Sequence, residues 1–304
     1  MKRLRTFTVV GMMIAFFISA TAGALSADQT TITLGFSPDS LPGFNRNDLQ
    51  AAMKVWIETV ITEQNLQNTA EIIMYDSFSE LQRDWHAEKI HSLTLTAQDL
   101  DQLGVAPEAI YANVQGDDVY RRYVIIARRD SNVSNLQGLK GRTLAFAEGY
   151  DMSLARPWLD SLLMDQTGSA LTDWLAAVVP AKNASESVLK TFFKQADAAL
   201  LSLDAFQVAA ELNPQLSRDL VVLYQSPPFI PSFNILHPAW KEASRQSMEE
   251  GIGKLHTTPA GEQVLIVFQS SRMKKMPFSA LKETLAFLHH YRNQQQQAAG
   301  GLQP

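Results

Sequence analysis

The chain has 304 residues, 46% hydrophobic and 19% charged, enough apolar material to bury a sizeable core, which excludes general disorder. It contains no cysteine, which removes disulfide frameworks, thiolate metal sites, cysteine nucleophiles and lipidated cysteines. Its net charge of −5, from 26 basic and 31 acidic residues with no long block of either sign, leaves no footprint for a phosphate backbone, so nucleic acid is not an expected partner.

Residues 1–27 read as a secretory signal. Lys2, Arg3 and Arg5 form a basic start, Phe7 to Ala20 an apolar stretch, and Thr21 to Ala27 a small-residue zone with cleavage after Ala24 or Ala27. Extended through Leu25, the same stretch approaches the roughly 20 residues of a membrane anchor, so a retained anchor stays open as the alternative. Together with the lack of cysteine, the segment points to an exported protein, best suited to a periplasm.

Further on, short apolar runs alternate with helical patterns, as α/β layering requires. Thr31 to Phe36 reads as a strand, residues 47–66 as a helix with Leu49, Met53, Trp56, Ile57 and Val60 on one face, and Glu71 to Tyr75 as a strand. Ser77 and Glu80 have capping-box spacing ahead of a helix, followed by a strand at Ile90 to Leu95 and a helical turn at Gln98 to Leu103. Tyr120 to Ala127 is a long buried strand and Thr143 to Ala147 another. Then come helices at Leu154 to Leu163 and Asn183 to Phe193, a strand at Asp197 to Leu203, a helix at Asp204 to Leu212 stopped by Asn213-Pro214, and strands at Leu220 to Tyr224 and Ser232 to Leu236. From Ala239 the pattern is helical with a restart at Thr258-Pro259, Gly251-Ile252-Gly253 reads as a helix interruption, and Gln294 to Pro304 reads as a disordered polar tail.

Gln115-Gly116-Asp117-Asp118 and Gln225-Ser226-Pro227-Pro228 read as linkers. If both are crossovers, residues 28–118 with 225–293 form one lobe and 119–224 the other, with a cleft between them. Periodicity alone favours two sequential domains over this discontinuous arrangement.

No catalytic signature is present: neither a Gly-x-Ser-x-Gly elbow, nor a phosphate-cradling Gly-x-x-x-x-Gly-Lys-Ser/Thr loop, nor His-Glu-x-x-His. The six histidines, His86, His91, His237, His256, His289 and His290, show no facing-ligand spacing, since neighbours such as His289 and His290 point about 100° apart on a helix. No metal or cofactor is therefore expected. Asp117-Asp118 and Glu249-Glu250 read as solvated carboxylate pairs. What remains is binding chemistry at strand ends and helix N-termini. The candidates are Ser37, Thr94 and Thr96, then Tyr150, Asp151 and Ser153, and finally Ser185, Ser202 and Asp204; each taken singly is also ordinary turn and cap chemistry.

Tyr123 to Ser131 followed by Leu136 to Phe146 resembles the crossover-strand and "dLkGk" segment of type 2 periplasmic binding proteins, in particular their phosphonate-binding and transferrin-like branch. Ser185 to Leu200 is similar to that family's helix-strand unit, and Glu211 to Gln215 with Leu220 to Pro228 fits it. The resemblance implies an α/β, two-lobed type 2 periplasmic binding protein fold with two crossover strands, closing by hinge motion on a small polar molecule. It implies a monomeric, non-enzymatic solute-binding protein serving an ABC-type permease or, alternatively, a membrane sensor. Enzymes on the same fold rely on cysteine-rich motifs that this chain lacks. The resemblance also places ligand contacts at Ser202, Asp204 and Ser185. Aligned on Pro157, however, Tyr150, Asp151 and Met152 stand where phosphonate binders present Ser-Thr-Ser. A carboxylate beside an oxyanion is repelled by about 4 kcal/mol for unit charges 4 Å apart at an effective dielectric near 20, which argues against phosphonate itself.

Overall fold

The computed structural model describes residues 30–40, 45–147, 149–241 and 243–300; the expected signal segment lies outside them. In chain order, the first part holds β1 (Thr31–Phe36), α1 (Arg46–Glu63), β2 (Thr69–Met74), α2 (Phe78–His86), β3 (Ser92–Thr96), α3 (Ala97–Leu103) and β4 (Ala109–Val114). The middle part holds β5 (Tyr123–Arg128), β6 (Thr143–Ala147), α4 (Ala155–Thr167), α5 (Leu171–Trp174), β7 (Ala177–Ala181), α6 (Ala184–Phe192), β8 (Ala198–Ser202), α7 (Leu203–Leu212), α8 (Pro214–Asp219) and β9 (Leu220–Gln225). The last part holds β10 (Ser232–Leu236), α9 (Ala243–Gly253), α10 (Pro259–Val267), β11 (Arg272–Pro277) and α11 (Lys282–Gly300).

Among the described residues these strands form two sheets, ordered β11-β4-β10-β3-β1-β2 and β7-β6-β8-β5-β9. The chain thus enters the second sheet after β4 and returns to the first after β9. Strands β1, β2 and β3 run parallel, as do β6, β7 and β8, whereas β5, β9 and β10, which flank the crossovers, pair antiparallel with their neighbours. This is the two-lobed mixed α/β fold in which the carboxyl ends of the parallel strands face a shared crevice. Tyr123 to Ala127 are fully buried, as a strand covered on both faces must be. Capping chemistry sets the helix starts: Ser77 accepts from the Glu80 amide at 3.3 Å, Asn183 from the Glu186 amide at 2.9 Å and Thr258 from the Gly261 amide at 3.1 Å.

Sequence and structure differ in several places. Strands β4 and β7 and helices α5 and α8 carry no pattern strong enough to read. Helix α7 does stop at Leu212 before Asn213-Pro214, but Pro214 also begins a further helix, α8, with Asn213 as its cap. The helical reading after Ala239 is broken by β11, an edge strand of sequence RMKKMP paired antiparallel with β4; its lysines suit an exposed edge and erase the apolar alternation that marks an interior strand. The polar tail is helical through Gly300, because Gln294 and Gln295 donate to Asp165 (2.6 Å) and Asp160 (2.8 Å) on α4.

Gly251 does not interrupt a helix; it lies inside α9, where a Cβ would stand 2.8 Å from Cγ2 of Val60 on α1. The missing side chain lets the two helices approach. Valine is stiff in a helix, so Gly251→Ala is expected to destabilise the fold by about 1–2 kcal/mol despite alanine's better propensity. The denaturation midpoint reports it. In a Val60→Ala background the same substitution is expected to be neutral or stabilising.

Candidate functional site

The hydroxyls proposed on the first lobe are internal structure. Ser37 is buried and its Oγ donates to Asp99 Oδ2 at 2.6 Å, while its amide donates to the Thr94 carbonyl at 2.9 Å. Thr96 caps α3, and both its Oγ1 (2.8 Å) and its amide (3.0 Å) donate to that same Asp99 oxygen. One carboxylate oxygen therefore ties the β1 and β3 ends together and takes up both hydroxyls. The Thr94 Oγ1 accepts from Asn234 Nδ2 at 3.2 Å and faces an apolar recess under the sheet. None of the three lines the interlobe cleft. Their alternation along β3 is real, but it serves packing; the Thr96-x-x-Asp99 spacing of a capping box was the signal for this.

The second-lobe candidates converge. A cleft of about 650 Å³ is lined by Asp151, Ser185, Ser202 and Asp204 from one lobe and by Asn45, Asp48, Gln115 and Gln269 from the other. A second recess of about 330 Å³ lies on the far side of the Gly149 to Ser153 loop, between Ser153 and Arg156 and, across the gap, Asp39 and Gln98. The loop therefore stands between two openings and contributes to both. Ser153 Oγ is buried without a hydrogen-bond partner among the described residues. Tyr150 lies in the turn just before Asp151, but its side chain lies outside the described part.

Burial raises the Asp151 carboxyl above its ordinary range; nearby Arg121 lowers it by less, and Asp204 adds repulsion. Burial also raises Asp39, reinforced by Asp99. Arg121, which sequence reasoning overlooked, is 3% exposed, and its Nη1 lies 4.0 Å from Asp204. Its Nη1 also donates to the carbonyls of Asp118 (3.2 Å) and Tyr120 (3.0 Å). The Arg121-Arg122 pair at the entry to an apolar strand was its trace in the sequence.

Arg121 also sits at the crossovers. Its amide donates to the Phe229 carbonyl at 2.7 Å and the Phe229 amide returns the bond at 2.9 Å, while the Ser226 amide donates to the Tyr123 carbonyl at 2.8 Å. The two connecting segments form a short antiparallel ribbon. Tyr123 Oη donates to the Asp151 carbonyl at 2.7 Å, which joins the ribbon to the loop that carries Asp151. Two histidines serve internal structure: His91 Nδ1 accepts from the Thr33 amide at 3.1 Å and His237 Nδ1 from the Ala239 amide at 3.2 Å.

A family model for the periplasmic substrate-binding protein of phosphonate ABC transporters matches residues 40–277. Among solved structures, the chain is similar to a Xanthomonas citri protein bound to ATP, with a TM-score of 0.62 and 13% identity over 88% of this chain and 99% of that one. It is similar to a binding component of an ABC phosphonate transporter from Pseudomonas aeruginosa, with a TM-score of 0.57 and 13% identity over 88% of each chain. It is also similar to PhnD1 of Prochlorococcus marinus in complex with methylphosphonate, with a TM-score of 0.55 and 13% identity over 86% of this chain and 99% of that one. No curated protein matches its sequence. The chain belongs to the phosphonate-type family of periplasmic substrate-binding proteins, the solute-binding components of ABC transporters.

Proposed function

We propose that the chain captures a small polar molecule between its lobes without chemical conversion and acts as a monomer that delivers it to a permease. Residues 28–118 with 225–293 and residues 119–224 are the two moving bodies, and residues 1–27 are the export signal. The carrying observation is the cleft of about 650 Å³ lined from both lobes beside a two-strand crossover ribbon. A ligand shifts an open-closed equilibrium only if it contacts the two states differently, and a molecule bridging Asp151 or Asp204 to Asp48 or Gln269 does so. Asp151, Ser153, Ser185, Ser202 and Asp204 are the proposed contacts; Ser37, Thr94 and Thr96 hold the first lobe's strand ends.

The absence of cysteine makes a spin-label measurement direct. Cysteines placed at Lys54 on α1 and Glu211 on α7, both exposed, report the gap by electron-electron resonance. Adding the small-molecule fraction of the native periplasm is expected to shorten the distance by more than the ~2 Å that separates domain rearrangement from local adjustment. An unchanged distance across that fraction and a broad solute panel would refute capture by closure.

The raised Asp151 carboxyl sets the sign of a stability effect. A carboxyl whose folded-state value lies above its unfolded one binds its proton more tightly when folded, so its ionisation lowers stability as pH rises through the folded value. Asp151→Asn is expected to raise the melting temperature of the empty protein at pH 8, and the gain is expected to vanish as pH falls towards 4. A lower melting temperature at pH 8 would mean that attraction to Arg121 outweighs burial.

A further inference from the structure

The helix N-termini that face the cleft already carry carboxylates of their own. Asp48 lies in the first turn of α1, Glu186 in that of α6 and Asp204 in that of α7, while Asp151 precedes α4 in the Gly149 to Ser153 loop. Glu186 is fully engaged, accepting from the Lys182 amide at 2.8 Å and pairing with Lys190 at 3.2 Å. The positive helix ends that would hold an oxyanion are thus complemented from within. Among the described residues, three carboxylates line the cleft, Asp48, Asp151 and Asp204, against a single cation, Lys182. Arg121 lies behind them, and its one charge is shared between two acids and two carbonyls.

Ser202 adds an independent observation. It is 7% exposed, lines the cleft and occupies the N-cap position of α7, yet its side chain makes no capping bond. A hydroxyl that is not spent on the helix start keeps both lone pairs to offer an N–H donor in the cleft. Part of the wall is apolar: Val208 and Leu212 on α7, 55% and 82% exposed, stand with Val267 of the other lobe around the same opening.

We propose that the cleft selects an organic cation, a protonated amine with a short hydrocarbon part, whose ammonium sits between Asp151, Asp204 and the Ser202 Oγ while its alkyl portion lies against Val208, Leu212 and Val267. This rests on the cleft being the capture site. It departs from the phosphonate named for the family, because the Gly149 to Ser153 loop brings a carboxylate, Asp151, to the cleft.

The test uses probes matched in their alkyl chain and opposed in charge: n-butylamine and agmatine against n-butylphosphonate and methylphosphonate, titrated calorimetrically into the mature chain at pH 7.5. The amines are expected to bind and the phosphonates not to. Asp151→Asn and Asp204→Asn are each expected to weaken amine binding at least tenfold, and Ser202→Ala about fivefold; melting curves of the empty variants show that they are folded. A phosphonate binding more tightly than the amine of equal chain, an amine affinity indifferent to both Asn variants, or no amine binding at all would overturn the proposal. The Lys54/Glu211 label pair separates the two levels. A phosphonate that closes the gap removes the cation assignment and leaves solute capture standing, whereas a gap unmoved by every probe and by native periplasmic extract removes capture as well.

Discussion

The structure turns on a buried arginine in the ribbon that joins the lobes. Arg121 brings a permanent positive charge to a position 3% exposed, and a charge so placed must be paired and hydrogen-bonded. Its partners come from two levels of structure: the carbonyls of Asp118 and Tyr120 lie on the crossover, and the acids lie on the second lobe, Asp151 in the loop before α4 and Asp204 in the first turn of α7. The hinge and the cleft therefore share one electrostatic element. Tyr123 adds a mechanical link, since burial holds its phenol protonated and its Oη donates to the Asp151 carbonyl. The loop bearing Asp151 cannot shift without being felt at the ribbon.

A third connection between the lobes comes from α11. It packs on both α3 and α4, and its Phe287 ring lies 4.8 Å from that of Phe229 in the ribbon. His289 reaches Asp101 on α3 at 3.0 Å, and His290 reaches Asp165 on α4 at 3.2 Å. The 100° step between neighbouring helical residues, which rules the two histidines out as facing metal ligands, is what allows one helix to address two lobes. Tyr291 continues the second contact by donating to Asp160 at 2.9 Å. Any motion about the ribbon would also slide these contacts, of which the most exposed, His290 with Asp165, is individually weak and readily exchanged for water.

The sequence displays the lobes better than the site. Runs such as Tyr123 to Ala127, and caps such as Ser77, Asn183 and Thr258, announce themselves because burial and capping impose local patterns. Two of the edge strands do not: β7 contains Pro180 and β11 is rich in lysine, compositions chosen by exposure and partner geometry rather than alternation. The disordered reading of the C-terminus failed for a similar reason, since the glutamines that look like a solvated tail find acceptors on α4 only once the chain is folded. At the site, hydroxyls at strand ends look alike in sequence. Only the position of Asp99, one side chain away from both Ser37 and Thr96, separates a structural hydroxyl from one that faces a cleft. Asp151, Ser185, Ser202 and Asp204 share a wall because β6, β7 and β8 end, and the helices after them begin, at the same edge, as the family's helix-strand order implies.

The same fold at 13% identity shows how little of it depends on the residues at the strand ends. Core positions answer to burial, and many sequences satisfy burial equally well; loop positions answer to the ligand. A carboxylate in place of a hydroxyl at position 151 would alter the electrostatics more than it alters the count of hydrogen bonds. A neutral hydrogen bond contributes about 1 kcal/mol net, whereas a like charge at 4 Å opposes by about 4 kcal/mol at an effective dielectric near 20, about a thousandfold in affinity. One carboxylate therefore outweighs several remaining donors. Arg121 does not restore the balance, because it faces Asp204 as well as Asp151 and is held by the ribbon's own carbonyls. An anion entering the cleft would meet carboxylates on both walls, Asp48 on one and Asp151 with Asp204 on the other, so closing the lobes would strengthen its repulsion. For a cation the same closing motion strengthens the attraction, and in that case binding and hinge closure favour one another.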